Sequence, residues 1–474
     1  MKRIAGLAAL AVVTVAGLSP ATALSPQRAV ASARAGATAS ASVPGGTKLW
    51  AARYRGQAKS NFPVGIAASP DGSTVFVTGL SGTVRAHFST VAYNAATGAR
   101  LWAVPFYGRG YSQPSAIAVS PDGSKLFVTG FTTPVGGGSE RAVTVAYAAA
   151  TGIRLWTQQA FPVSRSFNNG TAVAVSPDGA TVFVGGTAGR HIALVAYDAA
   201  TGALRWLSHY QPAGSASGSE SLAVSPDGST VFLTGPFRSS SGPVESATIA
   251  YAAGTGAQLW AEVASGNTGT GGHELAVSPD GSAVFVTGWL GQGSPTSAFT
   301  TIAYGAATGA RLWARSYQGP GMVSVPEAIT VSPDGSRLFV TGSSSGSAPG
   351  VAVFATVAYA TASGAVLWSR SYPSPASSAV GASGADAAGV SPDGTLVFVT
   401  GASPGTRPKS MNYTTIAYDT ATGHTSWIAR YRGRQDFGVA SSLAVSPTGQ
   451  AVFVTGYLHG HAGSLIFGTV AYQP

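Results

Sequence analysis

Residues 69–102 read SPDGSTVFVTGLSGTVRAHFSTVAYNAATGARLW, and this stretch decides the fold. A tight-turn sequence, Ser-Pro-Asp-Gly, opens at Ser69, and Gly79 follows ten residues later across an apolar run. Tyr93 then precedes Trp102 by nine residues, with a Thr-Gly turn between them. Short apolar runs joined by tight turns are typical of strand pairs, so the stretch predicts two such pairs.

The same pattern recurs eight times along the chain. Ser-Pro-Asp-Gly, with one Ser-Pro-Thr-Gly variant, begins at Ser69, Ser120, Ser176, Ser225, Ser278, Ser332, Ser391 and Ser446. A glycine follows each serine by ten residues, and seven Tyr–Trp pairs keep the nine-residue separation. Repeats of about 54 residues with four strands each predict an all-β fold, a single eight-bladed β-propeller of four-stranded antiparallel blades.

The two ends of the chain predict how the ring closes. The eighth unit stops after its third strand at Tyr472, whereas residues 46–50 resemble an isolated fourth strand that ends at Trp50. We therefore predict one propeller over residues 45–474, whose last blade takes its outer strand from the N-terminus. The two tight turns of each unit have fixed spacing and should share one face, and the loops of variable length should share the other.

Composition and charge exclude several classes of protein. The 474 residues include 27 Lys and Arg against 17 Asp and Glu, which gives 27 − 17 = +10, but only 9% of residues are charged. A disordered acidic tail or a coiled coil needs far more charge. The chain has no cysteine, which excludes disulfides and a thiol nucleophile.

The N-terminus has the pattern of a secretory signal. Lys2 and Arg3 precede an uncharged run over residues 4–18, and Ala21-Thr22-Ala23 supplies a small-residue cleavage site. We predict a signal peptide over residues 1–23, with cleavage as late as residue 33 as the alternative, and a flexible lead-in over residues 34–44. The uncharged run is too short to span a bilayer. The sequence therefore predicts a secreted, extracellular protein with no membrane span.

The second half of the repeat resembles a known family. Residues 92–102, AYNAATGARLW, resemble the tryptophan-docking repeat of the quinoprotein (PQQ-dependent) dehydrogenase-like superfamily, and residues 196–206 and 417–427 match it including its Asp. The Ser-Pro-Asp-Gly half is similar to YVTN-type bacterial propeller repeats. The resemblance implies an eight-bladed ring. Its enzymes use PQQ, but they have a vicinal Cys pair and pocket-building insertions that this sequence lacks, so we expect neither PQQ nor the redox activity.

One position on the predicted innermost strands collects ionisable side chains. The residues five before each first-turn serine are Val64, Ser115, Thr171, Glu220, His273, Glu327, Asp386 and Ser441. We expect them at the variable-face mouth of the central channel. Glu220, Glu327 and Asp386 could bind Ca²⁺, and His273 with Glu274 could act as acid and base. The alternative is a solvated channel lining without a ligand.

A basic strand end occurs twice, as ARYRG at residues 52–56 and 429–433. Together with nearby cations it forms a predicted anion-binding rim, which comprises Arg53, Arg55, Lys59, Arg430, Arg432 and Arg434. Such a rim suits an anionic cell-envelope polymer, and the alternative is an ordinary solvated surface. There is no contiguous Lys/Arg run, so we expect no dedicated nucleic-acid binding.

These observations favour a secreted, monomeric, non-catalytic propeller. It would recognise a protein, a glycan or an envelope polymer through its variable-loop face. The alternative is an enzyme at the channel mouth, either a quinoprotein-like oxidoreductase or a metal-dependent hydrolase of the lactonase type.

Overall fold

The computed structural model describes most of the chain after residue 42. The described residues are 43–56, 58–83, 85–136, 138–159, 168–212, 214–216, 220–239, 244–264, 270–291, 297–345, 352–373, 384–405, 407, 410–433 and 435–474. The predicted signal peptide, both cleavage sites and most of the lead-in lie outside them.

The first four blades follow the N-terminal strand β1 (Lys48–Tyr54). Blade 1 contains β2 (Asn61–Ala68), β3 (Thr74–Ser81), β4 (His87–Asn94) and β5 (Arg100–Phe106). Blade 2 contains β6 (Ser112–Val119), β7 (Lys125–Thr132), β8 (Arg141–Ala148) and β9 (Arg154–Gln159), and blade 3 contains β10 (Asn168–Val175), β11 (Thr181–Ala188), β12 (His191–Asp198) and β13 (Leu204–Tyr210). Blade 4 contains β14 (Gly214–Ala216), β15 (Ser221–Val224), β16 (Thr230–Ser239), β17 (Val244–Ala252) and β18 (Gln258–Ala264).

The last four blades repeat the same order. Blade 5 contains β19 (Thr270–Val277), β20 (Ala283–Gly291), β21 (Ser297–Gly305) and β22 (Arg311–Tyr317), and blade 6 contains β23 (Ser324–Val331), β24 (Arg337–Ser345), β25 (Ala352–Ala360) and β26 (Val366–Tyr372). Blade 7 contains β27 (Gly384–Val390), β28 (Leu396–Pro404), β29 (Met411–Asp419) and β30 (Thr425–Tyr431). Blade 8 contains β31 (Gly438–Val445), β32 (Val452–His459), a short 3₁₀ turn (His461–Gly463) and β33 (Leu465–Tyr472).

All eight sheets are antiparallel, which confirms the predicted eight-bladed propeller. Strands adjacent in sequence pair with each other, except that β14 and β15 are two pieces of one inner edge that both pair with β16, and that β1 pairs with β33. In this order the two fixed turns of a blade lie at one end of its strands, and the variable loops lie at the other. We call these ends the turn face and the loop face. The first strand of each blade is innermost and the fourth is outermost.

The prediction that the N-terminal strand completes the last blade is also confirmed. β1 pairs antiparallel with β33, in the sheet order β1-β33-β32-β31. The two chain segments together rebuild the turn that the other blades form locally. Gly46 donates its N–H to Gln473 O at 2.8 Å, as Gly98 donates to Asn94 O at 2.8 Å in blade 1.

The blades are joined by their outer-strand tryptophans. Trp50 Nε1 donates to Ala95 O of the next blade at 2.7 Å, and its ring covers Gly98 of that blade's turn. Gly98 has φ +70°, and a Cβ there would lie 2.6 Å from the indole, so only glycine fits. The same donor bond forms at Trp102, Trp156, Trp206, Trp260, Trp313 and Trp368, over 2.7–3.2 Å.

The Ser-Pro-Asp-Gly turns satisfy their own polar groups. In blade 2, Ser120 Oγ donates to Asp122 Oδ1 at 2.5 Å, and the backbone N–H of Ser124 donates to the same oxygen at 3.0 Å. The hydrogen bond from Ser120 is the largest cause that lowers the pKa of Asp122 to about 2. The repeated aspartates are therefore turn caps, and their role is structural.

The joint at the ring closure differs from the others in one hydrogen bond. Trp427 packs on Gly46, yet within the described residues its buried Nε1 has no partner.

Trp427→Phe should therefore lose packing contacts only. Trp368→Phe also leaves Thr420 O without its donor and should lower the free energy of unfolding by about 1–2 kcal/mol more. Urea denaturation of the two variants measures this difference, and equal losses would contradict it.

Candidate functional site

The aligned channel residues coincide with a β-bulge on the innermost strands. In blade 6, Pro326 pairs with Gly342 and Ala328 pairs with Thr341, so Glu327 is the extra residue between them. The extra residues of six other blades are Val64, Ser115, Thr171, His273, Asp386 and Ser441. Bulges re-aim a side chain away from the regular ladder, and they often occur next to functional sites.

The ring of bulges lies deeper than predicted. Glu327 is the fourth of the eight residues of β23, so it stands halfway along the innermost strand and not at the loop-face mouth. The sequence alignment counted back from the first turn and did not register that β23 continues for three residues beyond the bulge, from Ser324 to Pro326.

The bulge explains the glycine that recurs ten residues after each first-turn serine. A Cβ on Gly342 would lie 2.1 Å from Val325 O and 2.7 Å from Pro326 Cα. A Cβ on Gly130 would likewise lie 2.1 Å from Gln113 O. The bulged strand comes so close to its partner that no side chain fits there.

Glu274 follows the bulge of blade 5 and is only 3% exposed. Its Oε2 accepts a hydrogen bond of 2.8 Å from the backbone N–H of Ile329, in the innermost strand of blade 6. At the preceding joint, between blades 4 and 5, Ser221 Oγ accepts a hydrogen bond of 3.3 Å from the backbone N–H of Leu275. Glu274 therefore joins two blades, which is a structural role that the predicted acid–base function did not include.

The Glu327 carboxyl disfavours the ionised form of a carboxyl on each of the two neighbouring blades. Burial raises the pKa of Glu274 well above its usual value, and the Glu327 carboxyl adds to this effect. Asp386 keeps partial solvent access, but the surrounding protein raises its pKa well above the usual value, and Glu327 again contributes. The charge of Glu327 thus acts on both of the other carboxyl groups, and the neutral forms of Glu274 and Asp386 are favoured.

The predicted metal ligands do not form a cluster in the part of the chain that the structure describes. Among those residues, no group of three or more His, Asp or Glu side chains could hold one ion. The backbone of His273 lies in β19, but its side chain is outside the described set. Binding of Ca²⁺ by Glu220, Glu327 and Asp386 therefore stays a prediction, as does catalysis by His273.

The structure divides the predicted anion-binding rim into two parts. Arg53 on β1 and Arg430 on β30 lie on the outer strands of adjacent blades, as the sequence indicated. Arg55, Lys59 and Arg432 lie in loops on the loop face, and Arg432 Nε lies 3.3 Å from Asp436 Oδ1. Arg434 is outside the described residues.

A loop-face feature that sequence reasoning missed surrounds Asp436. This residue has φ +51°, and its carboxylate also accepts a hydrogen bond from Arg407. Next to it, Phe437 stacks on His459 with ring centroids 4.1 Å apart, and Phe437 also contacts Tyr457. The repeat pattern gave no signal for this cluster, because it is built from residues outside the repeat.

Comparison with known proteins places the fold in a family. Residues 34–288 and 297–466 match the PQQ_2 family, described as outer membrane protein assembly factor BamB. The chain belongs to this family. No curated protein matches its sequence.

Solved structures of family members and other propellers share the fold at low identity. BamB from Moraxella catarrhalis is 14% identical with a TM-score of 0.51, over 90% of this chain and 99% of that one. Sqt1 from Chaetomium thermophilum, bound to the N-terminus of the ribosomal protein L10, is 15% identical with a TM-score of 0.58, over 88% and 98%. Quinohemoprotein alcohol dehydrogenase from Comamonas testosteroni is 13% identical with a TM-score of 0.55, over 90% and 76%. These similarities show the fold alone.

The channel residues do not fit PQQ. This cofactor is a tricarboxylate, so a site for it needs cationic donors. The described innermost strands contain no Lys or Arg, and their ionisable residues are His273, Glu274, Glu327 and Asp386. We therefore derive no chemical step through PQQ. Within the described residues, no helix has the length and apolar character needed to cross a membrane.

Replacement of the glycine opposite the bulge should be costly. Gly342→Ala places a Cβ against a backbone carbonyl and should lower the free energy of unfolding by about 2–4 kcal/mol. Gly254→Ala is the matched control, because a Cβ there meets nothing within 4 Å. The control should be neutral or stabilising by up to about 1 kcal/mol. Denaturant unfolding of both variants tests the bulge, and a mild effect of Gly342→Ala would argue against it.

The buried Glu274 should make stability depend on pH. Its folded-state pKa is raised, so its contribution is full below the unfolded pKa and is lost as pH rises through the folded pKa. Glu274→Gln keeps an acceptor for Ile329 N–H and removes the ionisation. We expect the variant to exceed the wild type in unfolding free energy by about 1–3 kcal/mol at pH 8, and by less at pH 5.

The matched control for this pH series is Glu262→Gln, the same change on an exposed outer strand. Urea denaturation between pH 5 and pH 8 should give the same pH profile for the control and the wild type. A Glu274→Gln profile parallel to that of the wild type would contradict the assignment.

Proposed function

We propose that this chain is an exported, non-catalytic propeller that binds a protein partner through its loop face. The observation that carries the proposal is the difference between the two faces. The turn face repeats one structure, in which each Asp of the Ser-Pro-Asp-Gly turns is bonded within its own turn. Exposed apolar side chains at the turn-face end recur at equivalent outer-strand positions, such as Leu101, Leu155 and Leu312. The loop face has different loops on each blade, and its exposed apolar side chains differ from blade to blade.

Three loop-face side chains are well placed for a partner. Tyr107 is 56% exposed, Val135 is 70% exposed and Met322 is 57% exposed. They lie in loops between or within blades 1, 2 and 5, so they are distributed over the face and held by the rigid ring. Large exposed aromatic and Met side chains are enriched in protein interfaces.

The similar structures support this type of function without showing it for this chain. Sqt1 is a propeller that was solved with a bound protein segment, and the family is described as an outer membrane protein assembly factor. Export is supported by the N-terminal charge and apolar pattern alone. Recognition of a glycan or an envelope polymer by the same loops, which the sequence also suggested, stays a prediction.

An enzyme in the channel is the second candidate. It is favoured by Glu327, whose carboxyl lies electrostatically between Glu274 and Asp386 on three successive blades. The hydrogen bond from Ile329 to Glu274 argues against it, because that carboxyl already holds a blade joint. We therefore rank binding first.

Site-specific photo-crosslinking in the secreting cells tests the proposal. A photoreactive residue at Tyr107 or Met322 should give an adduct with one partner protein. The control position is Leu204, which is 61% exposed but begins an outer strand next to the turn face. N-terminal sequencing of the exported chain should find residue 24, or residue 34 for the later cleavage.

Three outcomes would contradict the proposal. The first is the same adducts from Leu204 as from the loop-face positions, and the second is no protein adduct at all. The third is substrate turnover by the purified chain that is lost in a Glu327→Gln variant, which would favour the enzyme.

A further inference from the structure

The outer strands of the ring are not equally charged. The outer strands of blades 5–8, namely β22, β26, β30 and β1, contain six basic residues and no acidic one. Those of blades 1–4, namely β5, β9, β13 and β18, contain three basic residues and one acidic residue. We call the outer strands of blades 5–8 the basic wall. Its cations are Lys48, Arg53, Arg311, Arg315, Arg370 and Arg430.

Two of the six cations serve the blade joints. Arg315 donates from Nε to Gly364 O at 3.0 Å and from Nη2 to Ser363 O at 2.7 Å, across the joint between blades 5 and 6. Arg370 makes the equivalent bonds to Gly423 O and Thr422 O, at 2.8 and 2.9 Å. Their charges add to the field of the wall, but their donors are already used.

Three of the other four cations of the wall have neutral partners. Arg53 Nη2 donates to the hydroxyl of Tyr431 at 3.2 Å, and Lys48 Nζ lies 5.9 Å from the centre of the same ring. Arg430 donates to the hydroxyl of Tyr372 and lies over its ring at 5.6 Å. These contacts hold the guanidinium groups in place, but a tyrosine hydroxyl does not neutralise a charge.

The contrast with the loop face supports this point. There, Arg407 and Arg432 both pair with the carboxylate of Asp436. Two further ion pairs lie at turns, where Arg205 meets Asp198 and Arg337 meets Asp334. Among the described residues no carboxylate forms an ion pair with a cation of the basic wall, so this surface presents uncompensated positive charge.

We propose that the basic wall binds a linear polyol-phosphate polymer, a polyphosphodiester without bases, laid along the outside of blades 5–8. The six cations are spread over four blades, with no more than two on any one outer strand, so a single small anion would meet only one or two of them. A linear polymer with a charge on every unit can contact them all. A phosphodiester offers two anionic oxygens to each guanidinium fork and stays ionised at every working pH.

This surface is separate from the loop face, so the proposal is independent of a protein partner there. The experiment uses the purified full-length mature chain and immobilised synthetic poly(glycerol phosphate), with binding measured over a series of salt concentrations. The test variant is Arg53→Gln/Arg430→Gln. The matched control is Arg100→Gln/Arg154→Gln, which removes the same charge from the exposed outer strands of blades 1 and 2.

The wild type should bind with an affinity that falls as salt rises. The test variant should bind about tenfold more weakly at low salt, with a salt dependence reduced by about two ions. At about 0.15 M salt, where the screening length is about 8 Å, the test variant should still bind about tenfold more weakly, whereas the control variant should lose no more than about twofold. Both variants should keep the wild-type melting temperature.

Three results would overturn the proposal. The first is no binding of poly(glycerol phosphate) at low salt. The second is an equal loss in both double variants, which would mean that net charge alone is responsible. The third is tighter binding of polygalacturonate or single-stranded DNA of matched charge, which would assign the wall to a carboxylated glycan or to nucleic acid.

Discussion

The contact between each outer-strand tryptophan and the turn of the following blade is the interaction on which the ring depends. It combines a buried indole, a hydrogen bond to a backbone carbonyl and a glycine with positive φ beneath the ring. Because each blade can bury its tryptophan only on a neighbour, no blade is complete alone. The last tryptophan, Trp427, needs a turn as well, and Gly46 supplies it together with Gln473 from the other end of the chain. Closure is thus the same packing of indole on glycine, without the hydrogen bond, made between distant segments.

A second constraint acts on the inner strands. The bulge brings two strands so close that the residue opposite it, such as Gly342, must be glycine. In return, the bulged residue leaves the regular ladder, and its type is free to vary from Val64 to Asp386. The recurring glycine and the variable channel residue are therefore two consequences of one backbone distortion. A propeller can in this way change the chemistry of its channel one blade at a time without altering its strand pairing.

The sequence was sufficient for the fold and for the alignment of the channel residues, though not for their depth in the channel, because repeats report backbone geometry directly. The spacing from Ser69 to Gly79 marks a turn and a bulge, and the spacing from Tyr93 to Trp102 marks a turn and a docking contact. It was insufficient for contacts between blades. Nothing in the repeat distinguishes Glu274, which holds Ile329, from a catalytic carboxylate. Likewise, the pairing of Arg432 with Asp436 depends on a loop conformation that no spacing encodes.

The separation of charge between the channel and the outer wall has a physical consequence. Inner and outer strands of a blade are three strand spacings apart, roughly 14 Å at about 4.8 Å each. This exceeds the screening length of about 8 Å at physiological salt, so charges that face solvent on the two sides act almost independently there. Glu327 and Asp386 in the channel therefore do little to offset Arg53 and Arg430 on the wall. The net charge of +10 is a sum over the whole chain. It therefore understates the local positive charge that an anionic polymer would meet on blades 5–8, and it gives no sign of the carboxyl groups that a cation would meet in the channel.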